Sequence, residues 1–101
     1  MKQSVSICVP IYNEESSVEE LYEEINSVVK INFQDWEIIY IDDGSSDDSF
    51  KLLKNIALND SKVILLQLNR NFGKADALNE AFKIVKFSQI ITLDADLQDD
   101  P

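Results

Sequence analysis

Apolar residues recur along the chain in four short, nearly continuous runs that are rich in Ile, Val and Leu. These runs occupy residues 5–9, 37–41, 63–68 and 89–93. Continuous apolar runs of this length are typical of parallel strands that are buried on both faces. The segments between the runs have apolar residues at helical spacing instead, so the pattern predicts the order βαβαβαβ.

The apolar positions of the three predicted helices are Val18, Leu21, Tyr22, Ile25, Val28 and Val29, then Phe50, Leu53, Ile56 and Ala57, then Ala77, Leu78, Ala81, Phe82 and Val85. Because crossovers between parallel strands are right-handed, this order predicts an α/β fold of the half-Rossmann type. We expect a three-layer sandwich around a parallel sheet of strand order 3-2-1-4. Strands 1 and 4 then flank the point where the strand order reverses.

Length and composition favour one domain over residues 1–101, since 101 residues with 45% hydrophobic content suffice for a single core. The formal net charge of −10 argues against nucleic acid or an anionic membrane surface as the main partner. Cys8 is the only cysteine. It cannot form an intrachain disulfide, so we expect it in the core of a cytoplasmic protein. The chain shows no secretory signal and no apolar run of about 20 residues, and we expect it to be soluble.

Polar residues follow each predicted strand, at residues 10–14, 42–48, 69–74 and 94–100. The carboxyl ends of parallel strands share one edge of a sheet, and open α/β sheets bind ligands there. The four polar loops are therefore expected to meet in one crevice.

The loop after the fourth strand carries two carboxylates, Asp94 and Asp96, and the neutral oxygen of Gln98. Oxygen ligands of this kind suit Mg²⁺ or Mn²⁺. An Asp-x-Asp sequence also arises by chance in acidic chains, so the motif alone does not establish a metal site. Its position at a strand end favours one.

The loop after the second strand carries Asp42 and Asp43 directly before Gly44. An acid at this place commonly accepts hydrogen bonds from the ribose or base of a nucleotide. Ser46 or Asp47 could instead serve only as the cap of the next helix. Two adjacent acids before the glycine exceed what a cap requires.

The other two loops offer an aromatic ring and two cations. Tyr12 has a flat face for a nucleobase, although it could instead cover the core while Asn13 caps the first helix. Arg70 and Lys74 supply positive charge beside a helix N-terminus that can receive phosphate. Phe72, between them, is expected in the core.

Several common kinds of site are excluded by composition. With only Gly44 and Gly73 as glycines, the chain has neither a Gly-rich dinucleotide fingerprint nor a Walker A loop. Since it has no histidine, it has no Ser-His or Cys-His nucleophile and no histidine-ligated zinc. The kind of site that remains is a divalent cation held by carboxylates beside a nucleotide.

Four motifs in this order resemble those of the inverting family 2 glycosyltransferases. They are Pro10-Ile11-Tyr12-Asn13-Glu14, Asp42-Asp43-Gly44-Ser45-Ser46-Asp47, Arg70-Asn71-Phe72-Gly73-Lys74 and Asp94-Ala95-Asp96-Leu97-Gln98-Asp99. Within that family, the last two stretches are most similar to the polyprenyl-phosphate branch, which includes dolichyl-phosphate mannose synthases and bactoprenol glucosyltransferases. Two departures from the family pattern follow these stretches: Ala81 replaces a frequent glycine, and a single Pro101 follows Asp100 where many relatives have two prolines.

The resemblance implies a GT-A type fold that binds a nucleotide sugar. By that analogy Pro10, Tyr12, Glu14 and Asp42 or Asp43 hold the base and ribose. Arg70 and Lys74 lie on the nucleotide side. The metal, Mg²⁺ or Mn²⁺, is held by Asp94, which also borders the nucleotide sugar, and by Asp96 and Gln98.

The activity implied is transfer of a hexose, with inversion, from a UDP- or GDP-sugar to a polyprenyl phosphate. A glycan hydroxyl acceptor and a non-catalytic nucleotide-binding module are the alternatives. A sugar-phosphate nucleotidyltransferase would need a Gly-rich loop after strand 1, which is absent. We expect the chain to be truncated after strand 4, with any general base beyond Pro101, so that this part alone is inactive. We also expect a parent protein at the cytoplasmic face of the membrane, and homo-oligomers of this part.

Overall fold

The computed structural model describes residues 3–95 and shows one parallel sheet with helices on both faces. The elements are β1 (Gln3–Ile11), α1 (Val18–Asn32), β2 (Phe33–Asp42), α2 (Ser49–Asn59), β3 (Val63–Gln67), α3 (Lys74–Phe82) and β4 (Ile90–Thr92). The strands lie in the order β3-β2-β1-β4, and every pairing is parallel. The predicted fold class, element order and sheet order are confirmed.

The two central strands are longer than their apolar runs predict. β1 and β2 pair from Gln3 with Phe33 to Ile11 with Asp42. The first part of β2 is half-buried or exposed and carries polar side chains, so hydropathy does not reveal it. The cause of the extra length is the neighbouring strand, which offers hydrogen-bonding partners along its whole length.

The core has one layer on each face of the sheet. Alternate residues of β1 and β2, such as Val9 and Tyr40, face α1 and α2 in the larger cluster. Cys8, Ile39 and Ile41 face α3 in the smaller cluster. Cys8 is fully buried, as expected for a core residue. Not every predicted helix position is covered, because Val28 and Phe82 are exposed.

A buried polar cluster fixes the connection between α3 and β4 at the amino edge of the sheet. Glu37 Oε2 accepts hydrogen bonds of 2.6 Å from Ser6 Oγ and from the backbone N–H of Lys86. Ser6 Oγ in turn accepts a 3.1 Å hydrogen bond from the backbone N–H of Phe87. A buried carboxylate is costly unless it is hydrogen-bonded, and this one is. The cluster positions β4 beside β1, and so sets where the chain reaches Asp94.

Within residues 3–95, no helix has both the length and the apolar character needed to cross a bilayer.

Candidate functional site

A cleft of about 320 Å³ lies at the carboxyl edge of the sheet, where the strand order reverses between β1 and β4. Six of the eight residues predicted to bind a nucleotide sugar line it. The residues that line the cleft are Pro10, Ile11, Tyr12, Glu14, Asp43, Asn71, Gly73, Lys74, Asp94 and Ala95. All four strand-end loops therefore contribute to one concave surface, the arrangement expected of a ligand site in an open α/β sheet.

Tyr12 presents its ring at the wall of this cleft. It directly follows the last residue of β1 and is 47% exposed, so it does not cover the core. The alternative that assigned Tyr12 to core packing is wrong. A ring held at the end of a buried strand can stack on a planar ligand with little loss of side-chain entropy.

Asn13 joins the loop after β1 to the loop after β2. Its backbone N–H donates to Ser45 Oγ at 2.9 Å, and its Oδ1 accepts from the backbone N–H groups of Ser46 at 2.8 Å and Asp47 at 3.3 Å. Glu14 adds a 2.8 Å hydrogen bond from its backbone N–H to Ser49 Oγ. Asn13 does not cap α1, whose N-cap is Ser17. The alternative of a capping role for Asn13 is wrong as well.

Asp43 joins the loop after β2 to the loop after β3. Its carboxylate accepts from Asn71 Nδ2 at 3.1 Å and from the backbone N–H groups of Phe72 and Gly73 at 2.9 Å each. A carboxylate has about four acceptor positions, so one remains after these three bonds. Asp43 can therefore hold the loop and still accept a hydrogen bond from a ligand in the cleft.

Gly44 lets these two loops touch. Its φ is +74°, and a Cβ atom there would meet the backbone of Arg70 and Asn71. Only glycine satisfies both conditions without strain. Since β2 lies between β1 and β3 in the sheet, the loop after β2 is in contact with the loops on both sides.

Asp42 and Asp43 are both buried, but they differ in position and in contacts. Asp42 does not line the cleft, and its side chain accepts one 3.3 Å hydrogen bond from the backbone N–H of Ser45. Its Oδ1 has no hydrogen-bond partner among residues 3–95. Burial raises the pKa of the Asp42 carboxyl above its ordinary value, although hydrogen bonds from Ser45 lower it in part. Of the two adjacent acids, Asp43 is the one that faces the cleft.

Opposite charges meet at the cleft where α3 begins. Lys74, the first residue of α3, forms an ion pair with Asp94, just past the end of β4. Arg70 does not line the cleft. Its guanidinium lies 4.7 Å from the centre of the Phe72 ring. Phe72 is 42% exposed, so the expectation that it lies in the core is wrong. The reason is that residues 68–73 run over the surface between β3 and α3.

The predicted metal ligands are only partly within the described structure. Asp94 lies at the cleft, whereas Asp96 and Gln98 lie outside the described residues. From residue 3 to residue 95, no three His, Cys, Asp or Glu side chains are grouped closely enough to hold a metal ion.

Four residues that line the cleft were missed by sequence reasoning: Ile11, Asn71, Gly73 and Ala95. Of these, Asn71 and Gly73 both donate a hydrogen bond to Asp43. The available signal was their place in the stretch from Arg70 to Lys74, from which only the cations were selected.

Comparison with known proteins finds curated relatives that are similar in sequence to this chain. Over 100 residues the chain is 45% identical to undecaprenyl-phosphate 4-deoxy-4-formamido-L-arabinose transferase of Yersinia pestis (strain Pestoides F). This match covers 98% of the chain and 31% of the relative. The chain thus spans about a third of the length of the curated relatives it matches.

Solved structures share the fold. S. aureus TarS 1-349 in complex with UDP-GlcNAc superposes with a TM-score of 0.76 at 28% identity, over 93% of this chain and 27% of that chain. The mannosyltransferase PcManGT from Pyrobaculum calidifontis, in complex with GDP-Man and Mn²⁺, gives 0.81 at 25% identity, over 95% and 28%. The expected GT-A type fold is confirmed.

The model of the family described as "Glycosyl transferase family 2" matches residues 6–101, which include all four loops of the cleft. This chain belongs to glycosyl transferase family 2.

Proposed function

We propose that this chain binds a nucleotide sugar in the cleft and forms the donor-binding part of an inverting, metal-dependent glycosyltransferase whose acceptor is a polyprenyl phosphate. The observation that carries the proposal is the convergence of an aromatic ring, a hydrogen-bonding carboxylate and an ion pair in one cleft. These groups belong to Tyr12, Asp43, Lys74 and Asp94.

Different residues of the cleft bind different parts of the donor. Tyr12 stacks on the base, and Asp43 uses its remaining acceptor position for a ribose hydroxyl or a base N–H. Pro10 and Glu14 also line the cleft. The ammonium of Lys74, at the N-terminus of α3, lies on the diphosphate side. Arg70 and Asp42 do not line the cleft, so their proposed role is to support the loops after β3 and β2.

Asp94 has the chemistry of a ligand for a hard cation. Its carboxylate lies at the cleft and is already paired with a cationic group, the Lys74 ammonium. Asp94, Asp96 and Gln98 would hold Mg²⁺ or Mn²⁺, which when bound neutralises the charge that develops on the departing nucleoside diphosphate. The complex of PcManGT with Mn²⁺ supports this proposal.

The acceptor is inferred from the names of the curated relatives, which transfer to undecaprenyl phosphate. A phosphate monoester is largely ionised near neutral pH, so it can attack without a general base. The sugar named in those relatives is a derivative of arabinose, which is a pentose and not a hexose. The proposal therefore specifies a nucleotide sugar as donor and a polyprenyl phosphate as acceptor, and it does not specify the sugar. The expectation of a hexose stays a prediction.

The test is calorimetric titration of UDP and GDP in the presence of Mn²⁺ and, separately, of EDTA. We expect measurable affinity for one nucleotide with Mn²⁺ and a large loss with EDTA. Asp94→Asn should reproduce that loss. Glu23→Gln, which removes one negative charge on the exposed face of α1, should not. Equal affinity with Mn²⁺ and with EDTA would contradict the metal site.

The acceptor is tested with a longer protein that contains this chain, because this part alone is expected to be inactive. The assay follows transfer of radiolabel from a nucleotide sugar to undecaprenyl phosphate or to a glycan hydroxyl. Label that moves into the organic phase with the lipid supports the proposal. Label found only on the glycan contradicts it.

A further inference from the structure

Asn13 combines an unusual backbone conformation with an unusual set of contacts. Its φ is +52°, and it is the one non-glycine residue with a positive φ in the described range 3–95. Asn adopts this left-handed region more readily than other non-glycine residues. The chain bends at Asn13, between Tyr12 and Glu14, which both line the cleft.

The side chain of Asn13 is fully engaged as an acceptor. Oδ1 takes hydrogen bonds from the backbone N–H of Ser46 at 2.8 Å, from Ser46 Oγ at 3.3 Å and from the backbone N–H of Asp47 at 3.3 Å. The bond from its own backbone N–H to Ser45 Oγ makes the contact reciprocal. None of these bonds belongs to a helix or a strand, so they have no role in the secondary structure.

The neighbouring residues repeat the contact between the same two loops. The backbone N–H of Glu15 donates to Asp47 Oδ2 at 3.2 Å, and Glu15 Oε1 accepts from the backbone N–H of Asp48 at 2.8 Å. Hydrogen bonds donated in both directions therefore join the two loops. Because Tyr12 belongs to the loop after β1 and Asp43 to the loop after β2, these bonds set the positions of the two cleft residues relative to each other.

We propose that Asn13 is a positioning residue of the donor site: its left-handed backbone and its amide oxygen together set the directions in which Tyr12 and Glu14 enter the cleft. Asn13 itself does not line the cleft. It acts through its two neighbours and through the loop after β2. This inference rests on the proposed function, because it assumes that the cleft binds a nucleotide.

Two substitutions test the amide oxygen of Asn13 while the left-handed backbone is kept. Asn13→Gly keeps the left-handed backbone and removes the amide oxygen. Asn13→Asp keeps both a tolerance for that backbone and an acceptor oxygen. The matched control is Asn32→Gly, since the side chain of Asn32 likewise hydrogen-bonds to the backbone, by one 2.8 Å bond to the carbonyl oxygen of Val28, but lies at the far end of α1.

The first measurement is the affinity of the full chain for UDP and GDP with Mn²⁺, beside its melting temperature. We expect Asn13→Gly to weaken nucleotide binding by about tenfold, the equivalent of one or two net hydrogen bonds, while the melting temperature falls no further than in Asn32→Gly. Asn13→Asp should restore most of the affinity. Wild-type affinity in Asn13→Gly would overturn the proposal.

The second measurement needs no ligand. Amide hydrogen exchange should accelerate at Ser46, Asp47 and Glu14 in Asn13→Gly, and should be unchanged at core positions such as Ile39. If the wild-type chain binds neither nucleotide, the proposed function is wrong and exchange alone decides. Unchanged exchange at Ser46 and Asp47 would then overturn the role of Asn13, and faster exchange would support it.

Discussion

A Cβ atom on Gly44 would lie 2.3 Å from the carbonyl carbon of Arg70, so the loops after β2 and β3 pack backbone against backbone. A separation this short leaves no room for a methyl group, and neither partner is the flexible end of a side chain. This contact holds in place the loop after β3, whose residues Phe72 and Gly73 donate backbone hydrogen bonds to the carboxylate of Asp43.

Gly44→Ala should therefore be strongly destabilising. The left-handed backbone alone costs about 1–2 kcal/mol for a residue with a Cβ, and displacement of the Arg70 backbone adds to that. Urea denaturation measures the loss. Hydrogen exchange should also accelerate at Phe72 and Gly73 while Ile39 stays protected. A loss of unfolding free energy smaller than the cost of the left-handed backbone, with unchanged hydrogen exchange at Gly73, would contradict this prediction. It would show that the loop after β3 can move away from residue 44 at no cost.

Asp42 and Asp47 should respond to pH in opposite directions. The pKa of Asp42 is raised, chiefly by burial, so its ionised form is disfavoured in the folded state. Its favourable contribution to the free energy of unfolding is fully present below the ordinary pKa of an Asp, about 3.9. That contribution is lost as the pH rises through the raised pKa of Asp42 in the folded state. Asp42→Asn should thus gain stability relative to the wild type between acid and neutral pH.

Asp47 provides the matched comparison. Burial alone would raise its pKa, but hydrogen bonds from Ser49 and from the backbone of Glu15 lower it overall. The stability that it contributes is present at neutral pH and is lost as the pH falls through the lowered pKa. Asp47→Asn should therefore be less stable than the wild type at neutral pH, with a smaller difference in acid. Melting curves from pH 2 to pH 7, which extend below the ordinary pKa of an Asp, measure both variants, and parallel curves would contradict both assignments.

Tyr12→Ala should lower nucleotide affinity by about 1–3 kcal/mol, the usual loss for one stack of a base on an aromatic ring. Its melting temperature should change little, because the ring is 47% exposed. Calorimetric titration of UDP and GDP gives the affinity. Phe72→Ala is the control, since Phe72 is 42% exposed but does not line the cleft. Equal losses in the two variants would mean that Tyr12 has no specific contact with the base.

Self-association is expected at the open edge of β4. In the described part of the chain, β4 pairs with β1 on one side and with no strand on the other. An open edge with apolar side chains can pair with another molecule. Ile90, 40% exposed, lies there, and Ile90→Lys should shift the chain towards monomer in sedimentation velocity at high concentration. Leu58→Lys should not, although Leu58 is 75% exposed, because it lies on α2. A wild-type chain that is monomeric at millimolar concentration would contradict this prediction.

The sequence predicted the sheet well because each strand carries its own signal. The apolar run that contains Ile38, Ile39 and Ile41 indicates a doubly buried strand without reference to any other segment. The extra length of β2 could not be predicted, since it depends on the pairing of Phe33 with Gln3. The placement of Tyr12 and Asp43 followed from the rule that ligands bind at strand ends.

The roles of Asn13 and Phe72 could not be predicted by the same reasoning. Asn13 bonds to a loop more than thirty residues away, and a single sequence gives no sign of that contact. Phe72 looked like a core residue because it is apolar, yet a nearby guanidinium covers its ring at the surface. Hydropathy describes a residue by itself, whereas these positions are decided by their partners.

The pairing of Ser6 with Ile90 brings positions near opposite ends of the described chain side by side. Closing so large a loop is slow, because its entropic cost precedes any gain from contacts. During folding, β1, β2 and β3 can therefore associate before β4 arrives. The part of the cleft built from the loops after β1, β2 and β3 would form first, and Asp94 would be added last. A newly made chain would accordingly acquire the proposed nucleotide contacts of Tyr12 and Asp43 earlier than the proposed metal ligand Asp94.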